Sequence, residues 1–205
     1  MFLDRFLGRR PSHFELNPIV KSYIISESFL WSAWDFVLPI IAIFIAKNIP
    51  GGNIQTAATG YSIYLISRVI FELVSGKFLQ HTRDKKKMLI AIFGILCLSV
   101  AYSGFAFASS LQIIFLSYAI LGAGLGIAAP AKNSLFAIHL DKNKESEEWS
   151  LNDAVCAIAM ALATALGGFV AAEYGFQLLF WIAAVINLLS VIPYLLYVYP
   201  NLDIL

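Results

Sequence analysis

The stretch LVSGKFLQHTRDKKKMLIAI, residues 73–92, sets Lys85, Lys86 and Lys87 between two segments too apolar for a water-facing surface. The same alternation of long hydrophobic segments and short polar ones continues from Ile19 to Tyr199. Across the 205-residue chain, 60% of residues are hydrophobic and 13% charged, with a mean hydropathy of +0.77. Soluble domains run at about 45–50% apolar and about 25% charged. The composition is that of an all-α protein crossing a membrane several times. Its 14 basic and 13 acidic residues leave a net charge of +1, which gives no electrostatic footprint for nucleic acid. Cys97 and Cys156 lie inside apolar segments without metal-site or disulfide spacing, as suits thiols acting as small hydrophobes.

Six segments reach about the 20 residues that a bilayer core requires. They run approximately over Ile19–Ala46, Ile54–Leu79, Met88–Ala108, Leu111–Ile138, Leu151–Ala172 and Phe176–Tyr199. Turn chemistry marks the outer breaks: NIPGGN after the first span, SS after the third and EYG after the fifth. Pro39 and Pro130 fall within spans, where neighbouring helices re-satisfy the freed backbone groups. The expected plan is an N-terminal segment over residues 1–18, a six-helix domain over 19–199 and a short tail over 200–205. In the N-terminal segment Phe2, Leu3, Phe6 and Leu7 share a helical face flanked by Arg5, Arg9 and Arg10, up to Pro11. That suits an interfacial foot or a frayed terminus, and it lacks the contiguous apolar core of a cleavable signal.

The basic residues set the expected orientation. Arg5, Arg9, Arg10 and Lys21 flank the first span's start, Lys77, Arg83 and Lys85–Lys87 the second connection, and Lys142 and Lys144 the fourth. The other three connections hold Lys47 alone. The positive-inside rule then places both termini and the opening stretch in the cytoplasm of a multi-pass protein of the plasma (inner) membrane. DKNKESEEWS reads as a solvated loop with Trp149 as an interfacial anchor.

The opening stretch also carries a pattern. SGKFLQHTRDKKKML resembles the loop between helices 2 and 3 of major facilitator superfamily (MFS) transporters, G-x-L-a-D-r-x-G-r-k, through Gly76, Phe78, Lys85 and Lys86. It departs at Gln80, in place of the family's Asp, and at Arg83, in place of its second Gly. LGAGLGIAAPAKNSLFAIHL resembles the family's glycine-rich fourth helix, with Gly122, Gly126 and Pro130 as packing positions and Tyr118 where an arginine is frequent. ALATALGGFVAAEYGFQLLFWIAAVI resembles the end of helix 5, its outer turn and the start of helix 6. The resemblance covers the chain as six helices, half of the usual twelve. It implies that helices 1 and 4 line a central cavity, that helices 2 and 5 meet the opposite half, and that helices 3 and 6 are peripheral.

The charges inside spans point the same way. The third and sixth spans carry none between their ends, whereas the first has Glu27 and Asp35 and the second Arg68 and Glu72. Each costs about 2.5–3.5 kcal/mol at a span centre, so spans one and two are expected to face other helices or water, and three and six lipid. Asp35 and Arg68 fall near the midplane at similar depth, which leads one to expect a pair, direct or through water. Glu27 and Glu72 lie roughly 12 Å and 6 Å nearer the cytoplasm at 1.5 Å per residue, and Arg68 and Glu72 form an i, i+4 pair. This is a binding or proton-coupling cluster in a wet cavity, or an ion-pair network that fixes packing. Trp31 and Trp34 bracket Asp35, to stack on a solute or to pack between helices. Lys132, Asn133 and Asp153 are gate candidates, with snorkelling of Lys132 to the interface as the other reading. The small-residue ladders Ala157–Ala161–Ala165 and Thr164–Gly168–Ala172 mark a helix contact surface on span five.

No G-x-x-x-x-G-K-[ST] loop is present, so ATP hydrolysis within the chain is not expected. Nor does any nucleophile–base or metal constellation suggest an enzyme: His13, His81 and His139 have no second ligand at metal spacing. The leading expectation is a half-size MFS-type transporter moving a small solute by alternating access, as a homodimer or with a second MFS-like half in the lipid bilayer. A non-transporting assembly or regulatory subunit of the same fold is the alternative. No cofactor is expected.

Overall fold

The computed structural model describes residues 16–198. The expected interfacial foot and the C-terminal tail lie outside the described residues. Six long helices form one bundle: α1 (Pro18–Asn48), α2 (Ile54–Leu79), α3 (Asp84–Ala106), α4 (Leu111–His139), α5 (Glu145–Tyr174) and α6 (Phe176–Leu189), followed by one turn at Val191–Pro193 and a π-turn at Tyr194–Val198. Among the described residues five stretches are long and apolar enough to cross a membrane: α1, α3, α4, α5, and α6 taken with the turns after it. α2 is not among them; Gln55, Thr56, Thr59, Ser62, Arg68 and Glu72 interrupt its apolar run, yet it extends 26 residues within the bundle.

Local chemistry accounts for the ends. Asn17 caps α1 by accepting from the Ile19 N–H at 2.9 Å, with Pro18 in the first turn, where a missing N–H costs nothing. Asn53 and Thr56 form a reciprocal capping box at the start of α2. Gly51 and Gly175 hold positive φ in the α1–α2 and α5–α6 turns (76° and 87°), the conformation glycine adopts without a Cβ penalty. α3 and α5 begin earlier than expected. Asp84 opens α3 and bonds Lys87 at 2.9 Å, drawing the lysine run into the first turn. Glu145, Glu147 and Glu148 occupy the first turn of α5, where the helix dipole favours acids, so most of the expected DKNKESEEWS loop is helical. α6 stops at Leu189 because Pro193 has no N–H for the Leu189 carbonyl.

Packing links the two halves of the chain. α2 lies chiefly on α4, α5 on α1, α3 on α4 and α6, and α6 also on α1, so each three-helix unit lends its second helix to the first helix of the other. Small residues permit this approach. A Cβ on Gly122 or Gly126 would lie 2.3 or 2.5 Å from the carbonyls of Tyr64 or Arg68 on α2, and one on Gly94 would meet the Gly124 carbonyl at 2.5 Å. On α5 the equivalent is Gly167, 2.2 Å from the Phe36 carbonyl, while Gly168 opens onto free space. The ladder expected on α5 is thus displaced by one residue, and Ala157, Ala161 and Ala165 are exposed.

Burial within the bundle is uneven. Only 17% of the apolar window of α5 is buried, against 50% for α3 and for the α6 span. α2 likewise buries only Ala57, Gly60, Tyr64, Ser75 and Leu79 within the bundle. Its charges are met within its own helix rather than by burial.

Candidate functional site

Polar residues in the first half of α1 and the last part of α4 converge. Glu27 and Lys132 are buried, their side chains 5% and 2% exposed, and Lys132 Nζ donates to Glu27 Oε1 at 2.5 Å. Trp31 Nε1 donates to the second carboxylate oxygen at 3.1 Å. One turn away, Tyr23 donates to Asn133 Oδ1 at 3.0 Å and stacks on Phe136 with ring centroids 4.1 Å apart. Lys132 therefore points inward to Glu27 rather than snorkelling to the interface. A charge pair at this burial persists only with each partner satisfied, since removal from water costs several kcal/mol per ion.

Asp153 does not join Lys132. It is exposed and accepts from Asn152 at 3.3 Å. Asn152 in turn lies 3.9 Å from the Cys156 thiol, which contacts Ser28 at 4.0 Å. Of the three gate candidates, Lys132 and Asn133 thus reach α1, to Glu27 and Tyr23 respectively.

Higher on α1, Asp35 is partly exposed on the stripe that also carries Ser28, Trp31 and Ser32. Pro39 cannot donate to the Asp35 carbonyl four residues back, and Thr164 Oγ1 on α5 supplies the missing donor at 3.4 Å. The expected Asp35–Arg68 pair does not form. Arg68 Nε bonds Glu72 at 3.2 Å and its Nη1 reaches the Tyr64 hydroxyl at 3.5 Å, both one turn away on α2. The i, i+4 spacing wins because it needs no second helix. Trp34 turns inward, 4.9 Å from the Tyr64 ring, and lines an apolar recess with Tyr102, Phe105 and Tyr118. That recess offers about 10 Å³, room for a water at most.

The α2–α3 connection, Gly76 to Lys86, is compact. Thr82 donates to the Phe78 carbonyl at 2.9 Å, Phe78 is 68% exposed, Arg83 and Lys86 are exposed, and a Cβ on Gly76 would meet nothing. Pro130 sits within an unbroken α4.

A second polar cluster joins α3 to α6, with a further bond from α1 to the end of α6. Asn187 on α6 donates to the Ile95 carbonyl at 2.8 Å and to Ser99 Oγ at 2.7 Å on α3, while Ser26 on α1 donates to the Ser190 carbonyl at 2.6 Å. A lone asparagine in an otherwise apolar span was the signal, since such groups bond across membrane helices. Among the described residues no group of three His, Cys, Asp or Glu is placed to hold a metal.

The six-helix arrangement has a solved counterpart in the in meso crystal structure of the POT family transporter PepTSo. The similarity has a TM-score of 0.73 at 14% identity and covers 89% of this chain but 37% of that one. This chain thus spans a little over a third of that transporter's length. No curated protein sequence matches the chain. The family model described as Major Facilitator Superfamily matches residues 24–203. With that match over nearly all of the chain, and with six helices interlocked around a polar α1–α4 seam, the protein is an integral multi-pass membrane protein of the major facilitator superfamily.

Proposed function

We propose that this chain supplies one six-helix half of a secondary transporter that moves a small solute by alternating access, most simply as a pair of identical copies. The observation that carries the reading is a polar wall without an enclosure. Asp35, Trp31, Arg68, Glu72 and Asn133 are all at least partly accessible along the bundle, while the apolar recess beside Trp34 is too small for a solute. α2 and α5 flank that wall with most of their surface uncovered, which suits docking of a second bundle across it. Both termini and the lysine-bearing α2–α3 turn are cytoplasmic on the basic-residue bias.

In this reading the Glu27–Lys132 pair is the coupling element and Glu27 the proton carrier. Protonating Glu27 removes the charge that holds Lys132 and loosens the tie between α1 and α4. Reconstituted vesicles test it: protein-dependent solute flux is expected, accelerated by a proton gradient. Glu27→Gln should abolish the gradient's effect while solute exchange continues. Vesicles without flux for any solute class would move the reading to a non-transporting subunit. Disulfide crosslinking of Gly168→Cys between copies in native membranes checks the pairing, since Gly168 opens onto free space, whereas Thr164 is engaged with α1.

A further inference from the structure

Glu27, Trp31 and Asp35 stand one turn apart on α1 and share a face, yet they are matched very differently. Glu27 is neutralised by Lys132 and receives the Trp31 N–H. Arg68 is neutralised by Glu72. Asp35 is held in place through its backbone, by Pro39 and Thr164, while its carboxylate has no ion-pair or hydrogen-bond partner among the described residues. The middle of α1 therefore presents one unmatched negative charge, partly exposed, beside Ser32 and one turn from an indole.

We propose that Asp35 anchors a cationic solute of the organic-amine class, with its nitrogen on the carboxylate and its apolar part along Trp31. The inference rests on the transport reading above and names the class of solute. A charge left unmatched at mid-span is costly, and a cationic solute offsets that cost each time it binds. Two features favour an amine over a bare metal cation. Hard cations take six or more oxygen ligands, and no group of three ligating side chains is available among the described residues. An ammonium needs one carboxylate and gains from an aromatic face, by about 0.5–2 kcal/mol. The Trp31 ring is already tied by its bond to Glu27, which limits the ordering that such a contact would need. Trp34 faces the inner recess and takes no part.

The test uses the protein as isolated from membranes, in nanodiscs for binding and in vesicles for flux. The probes are three molecules of similar shape: 2-phenylethylammonium, 2-phenylethanol and phenylacetate. Saturable binding of the ammonium is expected, at least tenfold tighter than the other two. Asp35→Asn should weaken it at least tenfold and Asp35→Glu only a few-fold, with unchanged thermal unfolding in both. Equal binding of the three probes, no saturable ammonium binding, or an Asp35→Asn protein that binds as tightly as the parent overturns the proposal. The transport reading fails separately. Flux of the alcohol or carboxylate probe, indifferent to Asp35→Asn, sinks the amine site and keeps the transporter. Ammonium binding without flux of any probe keeps the site and sinks the transporter.

Discussion

Removing the ammonium of Lys132 while leaving Glu27 in place is the most informative perturbation of the bundle. In Lys132→Met the stem is replaced at similar volume, so packing survives and the charge goes. The Glu27 carboxylate, 5% exposed, would keep only the Trp31 N–H. Breaking a buried pair from one side typically costs about 3–5 kcal/mol, because the remaining ion stays unpaired in low dielectric. Glu27→Gln alone strands the ammonium and belongs in the same range, although the amide oxygen still accepts from Trp31. The double variant leaves no charge and should recover to within about 1 kcal/mol of the parent, as neutral replacements of buried pairs commonly do. Reversible unfolding in mixed micelles, followed by circular dichroism with denaturing detergent, gives the four corners of the cycle. A Lys132→Met protein within about 0.5 kcal/mol of the parent, or single costs that simply add in the double, would refute the pairing.

Four further outcomes are expected, three from the geometry and one from the basic-residue bias. Gly126→Val pushes a side chain against the Arg68 carbonyl and should cost at least the 1–3 kcal/mol typical of overpacking (an order-of-magnitude figure, about that or more). Gly167→Val should be as damaging, whereas Gly168→Val should stay within about 0.5 kcal/mol of the parent in unfolding titrations. Asn187→Leu loses both bonds to α3 and should destabilise by about 0.6–1.7 kcal/mol, the span measured for interhelical bonds in membranes. With Cys97 and Cys156 replaced by serine, a cysteine at Asn53 should react with an impermeant thiol reagent from outside only, and one at Lys86 only after permeabilisation; labelling of Lys86→Cys in intact cells would reverse the orientation.

Helix number and order were legible because a bilayer imposes one strong constraint, a long apolar run, and polar turns interrupt it regularly. The ends were less so. Asp84 and the acids at Glu145, Glu147 and Glu148 extend α3 and α5 by favourable first-turn charge, which a hydropathy reading takes for loop. At the site, each of Glu27, Lys132, Asp35 and Arg68 stood out by its cost in a span. The pairings did not. Depth alone suggested Asp35 with Arg68, but partners are decided by which helices touch and by the cheaper i, i+4 bond to Glu72. Likewise a small-residue ladder on α5 was visible, but not that Gly167 rather than Gly168 faces α1. One residue is a rotation of about 100° at 3.6 residues per turn, and sequence spacing does not fix that rotation.

The bundle's contacts differ in kind as well as place. α2 meets α4, and α5 meets α1, at the level of backbone: Gly122, Gly126 and Gly167 bring carbonyls to within a Cβ's reach, and Ser67, Ser75 and Thr164 bond carbonyls across the gap. Such contacts have a single setting, because sliding by a residue replaces glycine with a clash. α1 and α4, by contrast, touch sparingly. What joins them is side chain to side chain, Glu27 to Lys132 and Tyr23 to Asn133. A charge pair has two settings, closed when both ions are present and released when one is neutralised. The ionisable chemistry thus sits at the seam where packing holds least, and on the proposed transport reading a single proton there alters how the two couples of helices meet. Placed in the tight α2–α4 contact, the same pair would be overruled by sterics and would have nothing to switch.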